Sequence, residues 1–138
     1  MREILFKAKR IDNGDWVQGY YMPRPNSPGK PRYYIVLVGE AKWYEIDLKT
    51  LCQYTGLKDK NGNRIWENDI VSAWSEGKYA TGMVKQRIDG LYIIYPAYQH
   101  NEFWRLCPDK NRKTNVEVIG NVFDNPELLK GDQSCTDL

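Results

Sequence analysis

Residues 55–71 read Thr55-Gly56-Leu57-Lys58-Asp59-Lys60-Asn61-Gly62-Asn63-Arg64-Ile65-Trp66-Glu67-Asn68-Asp69-Ile70-Val71. An Asn-Gly pair supplies the positive φ angles of a tight hairpin turn, so Asn61-Gly62 reverses the chain. Arg64-Ile65-Trp66 is short and partly apolar. Glu67-Asn68-Asp69 turns the chain again, and residues 70–74 open a strand. Each notable residue has a backbone role: Gly56, Asn61, Gly62 and Asn68 are turn positions, and Asp69 can accept from a nearby backbone N–H. Ile70 and Val71 then enter the core, one of them facing inward.

The same rhythm of short apolar runs and turn residues continues on both sides. Upstream, Ile4, Phe6 and Ala8 alternate with Leu5, Lys7 and Lys9, the period of a half-buried strand. Asn13-Gly14 turns the chain and residues 16–22 return, so 3–22 form a hairpin. Residues 23–31 hold Pro23, Pro25, Pro28 and Pro31 and are expected to be a loop or arm, because proline removes ladder donors. Residues 32–38 are an aromatic and β-branched strand, 42–46 bring Trp43 and Tyr44 back, Asp47 caps a short turn over 48–50, and 51–57 are extended. Downstream, strands are expected at 79–88 and 91–95 around Asp89-Gly90, at 103–106, and at 116–123 after a polar, basic loop at 108–115. Asp124-Asn125 ahead of Pro126 starts a short helix, and 131–138 form a tail. About nine short strands at spacings of roughly 8–12 residues indicate an all-β sandwich or barrel.

Composition agrees. The chain has 138 residues, enough for one domain or two small sub-domains, and 13% of them are aromatic, a composition suited to pleated surfaces. The net charge is +2 and the pI about 8.4, below the footprint of a basic nucleic-acid-binding domain. Cys52, Cys107 and Cys135 are odd in number and contain no CxxC, which points to a reducing compartment and no disulfide framework. The N-terminus has no apolar signal region, and no run approaches the roughly 20 apolar residues of a membrane span. A cytoplasmic protein is expected.

Few residues suit catalysis. His100 is the single histidine and has no ligand-spaced cysteine partner, so neither a metal nor a cofactor is assigned. A nucleophile at Cys52 or Cys107 would need His100 as its base, and both thiols read as packing residues. Glu67 and Asp69 sit in a turn, where acids cap. No glycine-rich phosphate cradle is present. No catalytic residue is assigned and an enzyme is not expected. The contact residues considered for nucleic acid are Lys58, Lys60 and Arg64 on one hairpin, Lys85 and Arg87 on one strand face, and Lys110, Arg112 and Lys113 in a loop. Trp66, Trp74, Tyr92 and Tyr95 are their stacking partners. Against this stands self-association: residues 33–38 are apolar on both faces, and aromatics are enriched at interfaces.

Three stretches together resemble the YopX family of phage and prophage proteins: Arg2-Glu3-Ile4-Leu5-Phe6-Lys7-Ala8; Gln53-Tyr54 with residues 55–62, Ile65 and 67–71; and Val116-Glu117-Val118-Ile119-Gly120-Asn121-Val122-Phe123 followed by residues 124–129. The resemblance spans nearly the whole chain in matching order. It implies an N-terminal β segment and a small SH3-like β-barrel, in a bacterial host cytoplasm. Together with the readings above, this divides the chain into the β segment (1–50), the barrel with its short C-terminal helix (51–130) and a flexible tail (131–138). The resemblance implies no activity. The family pattern usually carries glycine before Asp-Ile-Val; here Asn68 stands there, and asparagine tolerates the left-handed conformation. The expected function is a non-enzymatic accessory protein acting through protein–protein contact, as a homo-oligomer or with a phage or host protein. The alternative is a weak single-stranded nucleic-acid-binding β-barrel module.

Overall fold

A computed structural model describes residues 4–37, 39–75, 78–86, 92–96, 104–106 and 108–128. The fold is all-β with two antiparallel sheets, and the chain divides into two units, Met1–Tyr54 and Thr55–Leu138.

The first unit contains β1 (Phe6–Lys9), β2 (Trp16–Arg24), β3 (Arg32–Val36), β4 (Trp43–Glu45), a 3-10 turn (Leu48–Thr50) and the start of β5 (Cys52–Lys58). The strand order is β4-β3-β2-β1-β5. Alternation sorts the side chains. Cross-strand partners share a face, so the pairs Ala8↔Val17, Tyr21↔Ile35 and Ile35↔Tyr44 define the inner one. Ala8, Ile35 and Ile46 form its buried centre, with Phe6, Val17, Tyr21, Tyr33 and Leu51 packed around them. The end of β4 returns to the end of β1: Arg10 bridges Ile46, the Ile11 N–H donates to the Glu45 carbonyl (3.0 Å), and the Asp47 N–H donates to the Lys9 carbonyl (2.9 Å). Asp47 caps the 3-10 turn by accepting from the Lys49 N–H at 3.1 Å. Arg10 clips the first hairpin by donating to both carboxylate oxygens of Asp12 (2.9 and 2.6 Å), which holds that carboxyl below its usual range. β2 and β3 approach so closely at Gly19 that a Cβ there would lie 2.1 Å from the Val36 carbonyl oxygen.

One loop expectation is corrected here. β2 runs through Pro23 to Arg24, with Pro23 opposite Tyr33. The Tyr33 carbonyl accepts from the Ile46 N–H at 2.9 Å, on the side away from β2, so proline forfeits no ladder bond at that position.

β5 continues into the second unit, where its far half lies beside β6 (Arg64–Trp66) and the Thr55 hydroxyl donates to the Ile65 carbonyl at 2.7 Å. The remaining strands are β7 (Asp69–Ser75), β8 (Lys78–Gln86), β9 (Tyr92–Pro96), β10 (Trp104–Arg105) and β11 (Glu117–Asn121). They order as β10-β9-β8-β7-β11, an antiparallel meander whose last strand returns beside its first. Ile65, Val71, Ala73, Val84, Ile94, Leu106 and Val116 form the core. Ile70 is also fully buried, so both residues after Asp69 are covered rather than one. Among the described residues the edge strands β10 and β11 do not pair, so this sheet is open where a closed barrel was expected. β11 stops at Asn121, whose Oδ1 accepts from the N–H groups of Phe123 and Asp124 (3.0 and 2.9 Å). A helical turn begins at 126–128, with the Leu128 N–H on the Asn125 carbonyl. The remainder of the expected helix, the tail 131–138 and Asp89-Gly90 lie outside the described residues. No helix among the described residues is long and apolar enough to cross a membrane.

Candidate nucleic-acid interface

The chain leaves β5 at Lys58 and enters a loop organised by one carboxylate. Asp59 is fully buried. Its Oδ1 accepts from the backbone N–H groups of Asn61 (2.9 Å) and Asn63 (2.8 Å). Its Oδ2 accepts from the Asn63 amide (3.4 Å) and from the Val118 N–H on β11 (3.1 Å). Burial alone would raise the Asp59 pKa; the bonds from Val118, Asn63 and Asn61 outweigh it and hold the carboxyl below its ordinary value. The loop closes with the Asp59 N–H on the Asn63 carbonyl (2.8 Å) and the Gly62 N–H on the Asp59 carbonyl (3.0 Å), Gly62 taking φ 86°.

Residues 109–113 repeat this loop. Asp109 Oδ1 accepts from the N–H groups of Asn111 (2.8 Å) and Lys113 (3.1 Å). The Asp109 N–H donates to the Lys113 carbonyl (2.9 Å), and the Arg112 N–H donates to the Asp109 carbonyl (3.0 Å). The sequences share Asp-Lys-Asn in their first three positions, at 59–61 and 109–111. They part at the fourth, where Arg112 adopts the left-handed φ of 62° that Gly62 adopts in the first loop. That conformation costs a non-glycine residue about 1–3 kcal/mol.

The two loops are stitched together through the backbone of Lys58. Its N–H donates to the Arg112 carbonyl (2.8 Å), and its carbonyl accepts from the Thr114 N–H (2.7 Å) and hydroxyl (2.9 Å). The Lys60 N–H donates to the Val116 carbonyl at 2.8 Å. Lys58, Lys60, Lys110, Arg112 and Lys113 are therefore exposed on adjoining loops. None of them forms an ion pair among the described residues. The carboxylates of the same segments bond to amides: Asp59 and Asp109 accept from their own loop N–H groups, and Glu117 lies toward the Asn61 amide at 3.4 Å.

The residues singled out in the sequence divide between this patch and the frame around it. Lys58 and Lys60 belong to the first loop and Lys110, Arg112 and Lys113 to the second, the two joined through the Lys58 backbone. Arg64 sits half-buried on β6, and the Lys85 ammonium donates to Asn68 Oδ1 at 2.6 Å. Trp66 is buried, so it offers no stacking surface. Arg87 and the side chains of Trp74, Tyr92 and Tyr95 lie outside the described residues. Gly56 (φ 83°) and Asn68 (φ 70°) occupy left-handed positions, whereas Asn61 does not; Gly62 alone supplies that conformation in its turn. Asp69 Oδ2 accepts from the Trp66 N–H at 2.8 Å. The second loop was not legible as a partner of the first, although the repeated Asp-Lys-Asn was its signal.

Among the described residues no group of three or more His, Cys, Asp or Glu is placed to hold a metal ion. Cys52 is buried with its thiol on the Thr50 carbonyl (3.3 Å); His100 and Cys107 lie outside the described residues. A cleft of about 450 Å³ in the first unit is lined in part by Lys9, Arg10, Arg32, Glu45 and Asp47. Two of its charged groups have structural roles: Arg10 holds Asp12, and Asp47 caps the 3-10 turn.

Comparison with known proteins adds to this picture. No curated protein matches the chain. Among solved structures it is similar to the crystal structure of protein EF1440 from Enterococcus faecalis, at 20% identity over 94% of this chain and 99% of that one, with a TM-score of 0.46. The family described as YopX protein matches residues 29–130, a span that holds the turn segment and both Asp-Lys-Asn loops. On that match, the chain belongs to the YopX family.

Proposed function

We propose that the protein is a non-enzymatic phage or prophage accessory protein that binds nucleic acid through its paired loops. One observation supports this reading: backbone bonds at Lys58 join the loop that carries Lys60 to the loop that carries Lys110, Arg112 and Lys113, and all five residues are exposed. Exposed charges act together within a Debye length of about 8–10 Å, so grouped cations engage a polyanion far better than scattered ones. Double-stranded DNA offers one phosphate charge per about 1.7 Å of axis. The modest net charge of +2 is a whole-chain sum and hides this local excess. The test is fluorescence anisotropy with a labelled DNA duplex at low salt. Binding is expected, weakened by Lys60→Gln and Lys113→Gln together and unchanged by Lys85→Gln. Absence of binding at low salt, or equal affinity for all three proteins, rejects the reading.

Protein contact is the second reading, as a homo-oligomer or with a phage or host protein. It is supported by large apolar side chains left exposed on the first unit, Ile4, Ile11 and Leu48. Light scattering over a concentration series tests the homo-oligomer, and a constant monomer mass dismisses it. The finer structural expectations belong to the same proposal. The β7–β10 meander with β11 returning beside β7 supports an SH3-like unit, and the helical turn at 126–128 supports a short C-terminal helix. The buried, reduced thiol of Cys52, donating to the Thr50 carbonyl, supports a reducing bacterial cytoplasm.

A further inference from the structure

We infer that the outer face of β2, β3 and β4 in the first unit is a platform for single-stranded nucleic acid. The inference takes its ligand class from the reading above but concerns a different surface with its own residues. Register places the surface. Arg24 lies opposite Arg32, Tyr34 opposite Glu45, and Tyr20 and Trp43 both flank Val36, so these side chains share the face that points away from Ile35.

Three features of this face point to a ligand. First, its rings are open: Tyr20 is 50% and Trp43 45% exposed, while Tyr34 supports Trp43 edge-on with centroids 5.6 Å apart. Second, Arg24 and Arg32 are cross-strand partners on this face, and Glu45 reaches Arg32 at 3.9 Å. A phosphate on this face can take charge-assisted hydrogen bonds from these guanidinium groups. Third, Arg24 is already positioned. Its guanidinium rides 5.1 Å from the Trp43 ring centroid and donates to the Pro23 carbonyl at 3.0 Å.

This combination selects among polyanions. A duplex keeps its bases stacked inside and can use only the arginines. An unpaired strand can lay bases on Tyr20 and Trp43 and phosphate on the arginines, as sheet platforms for single strands do. From Tyr20 to Arg24 the strand runs about 14 Å, room for a few nucleotides. A protein partner would need to bring carboxylates of its own to the two arginines, whereas a nucleic-acid strand carries a phosphate at every nucleotide.

The experiment uses the full chain, with labelled oligothymidylate and a blunt duplex of equal length, measured by anisotropy at low salt. The single strand should bind more tightly than the duplex. Trp43→Ala should weaken single-strand binding roughly tenfold or more while leaving duplex binding unchanged, and Trp43→Phe should retain most of it. Arg24→Gln should lower the single-strand salt slope by about 0.7, and it carries the test if Trp43→Ala fails to fold. Equal affinity for the two probes, or no effect of either substitution in folded protein, overturns the inference. So does a dimer mass in light scattering that Trp43→Ala abolishes without oligonucleotide binding, which would assign the face to a second copy. The two readings fail separately. Loss of duplex binding in the Lys60→Gln and Lys113→Gln protein with Trp43→Ala silent removes only the platform. The converse removes only the paired-loop interface.

Discussion

Replacing Asp59 by asparagine should destabilise the protein far more than the same change at Asp109, although both carboxylates organise the same kind of loop. Asp59 is buried and reaches out of its loop to the Val118 N–H, whereas Asp109 is exposed and its acceptor bonds go only to loop amides. Asp59→Asn keeps the shape but presents an NH₂ group to N–H donors on one side. Asn61 and Asn63 are exposed and their N–H groups can turn to water; the Val118 N–H is half-buried on β11 and cannot do so freely. Hydrogen bonds to a charged group are worth about 1.5–3 kcal/mol, and a buried donor left unsatisfied costs about 1–3 kcal/mol. The expected loss is therefore about 2–3 kcal/mol for Asp59→Asn and less than about 1 kcal/mol for Asp109→Asn. Urea unfolding followed by tryptophan fluorescence measures both. The pH dependence has a defined sign. The folded-state pKa of Asp59 lies below its unfolded value, so the unfolded chain binds more protons between the two. The stabilisation is complete above the unfolded value of about 3.9 and is lost as pH falls through the folded value. The gap between wild type and Asp59→Asn should be constant near neutrality and narrow below about pH 4. A loss no larger than that of Asp109→Asn, or a gap unaltered by acid, would refute the reasoning.

Further substitutions probe other parts of the structure. Arg112→Gly removes a side chain from a left-handed position (φ 62°) and should raise stability by about 1 kcal/mol in thermal unfolding while weakening nucleic-acid binding. An increase in both, or a decrease in both, is inconsistent with an arginine retained there for contact. Gly19→Ala should fail to accumulate as folded protein, or lose its cooperative melt, because its Cβ would meet the Val36 carbonyl oxygen at 2.1 Å. Asn68→Ala should cost about 1–2 kcal/mol in urea unfolding, since alanine tolerates φ 70° poorly and the bond from Lys85 is lost; Asn68→Gly should recover the conformational part.

Local chemistry made much of this fold legible. Gly62 takes the positive φ that its Asn-Gly pair announces, Asn68 holds a left-handed position that glycine usually fills in the family pattern, and Asp69 accepts the backbone N–H its turn requires. What stayed hidden depends on partners distant in sequence. Pro23 is a strand residue because the Tyr33 carbonyl bonds to Ile46 instead. The meeting of the basic loops depends on Lys58 pairing across 55 positions with Lys113, a parallel contact that no short-range pattern encodes. The second loop lacked a turn signal because arginine stands where its counterpart has glycine. The platform on β2–β4 was obscured for another reason: Tyr34 and Trp43 read equally well as core residues, and only register and exposure place them outside.

The salt dependence of duplex binding tests the central claim most directly. Binding through the five paired-loop cations predicts that log affinity falls against log salt with a slope of about −4.5, and that removing Lys60 and Lys113 together makes the slope shallower by about 1.8. A slope near zero, or an identical slope in the doubly substituted protein, would contradict a nucleic-acid interface built from these loops.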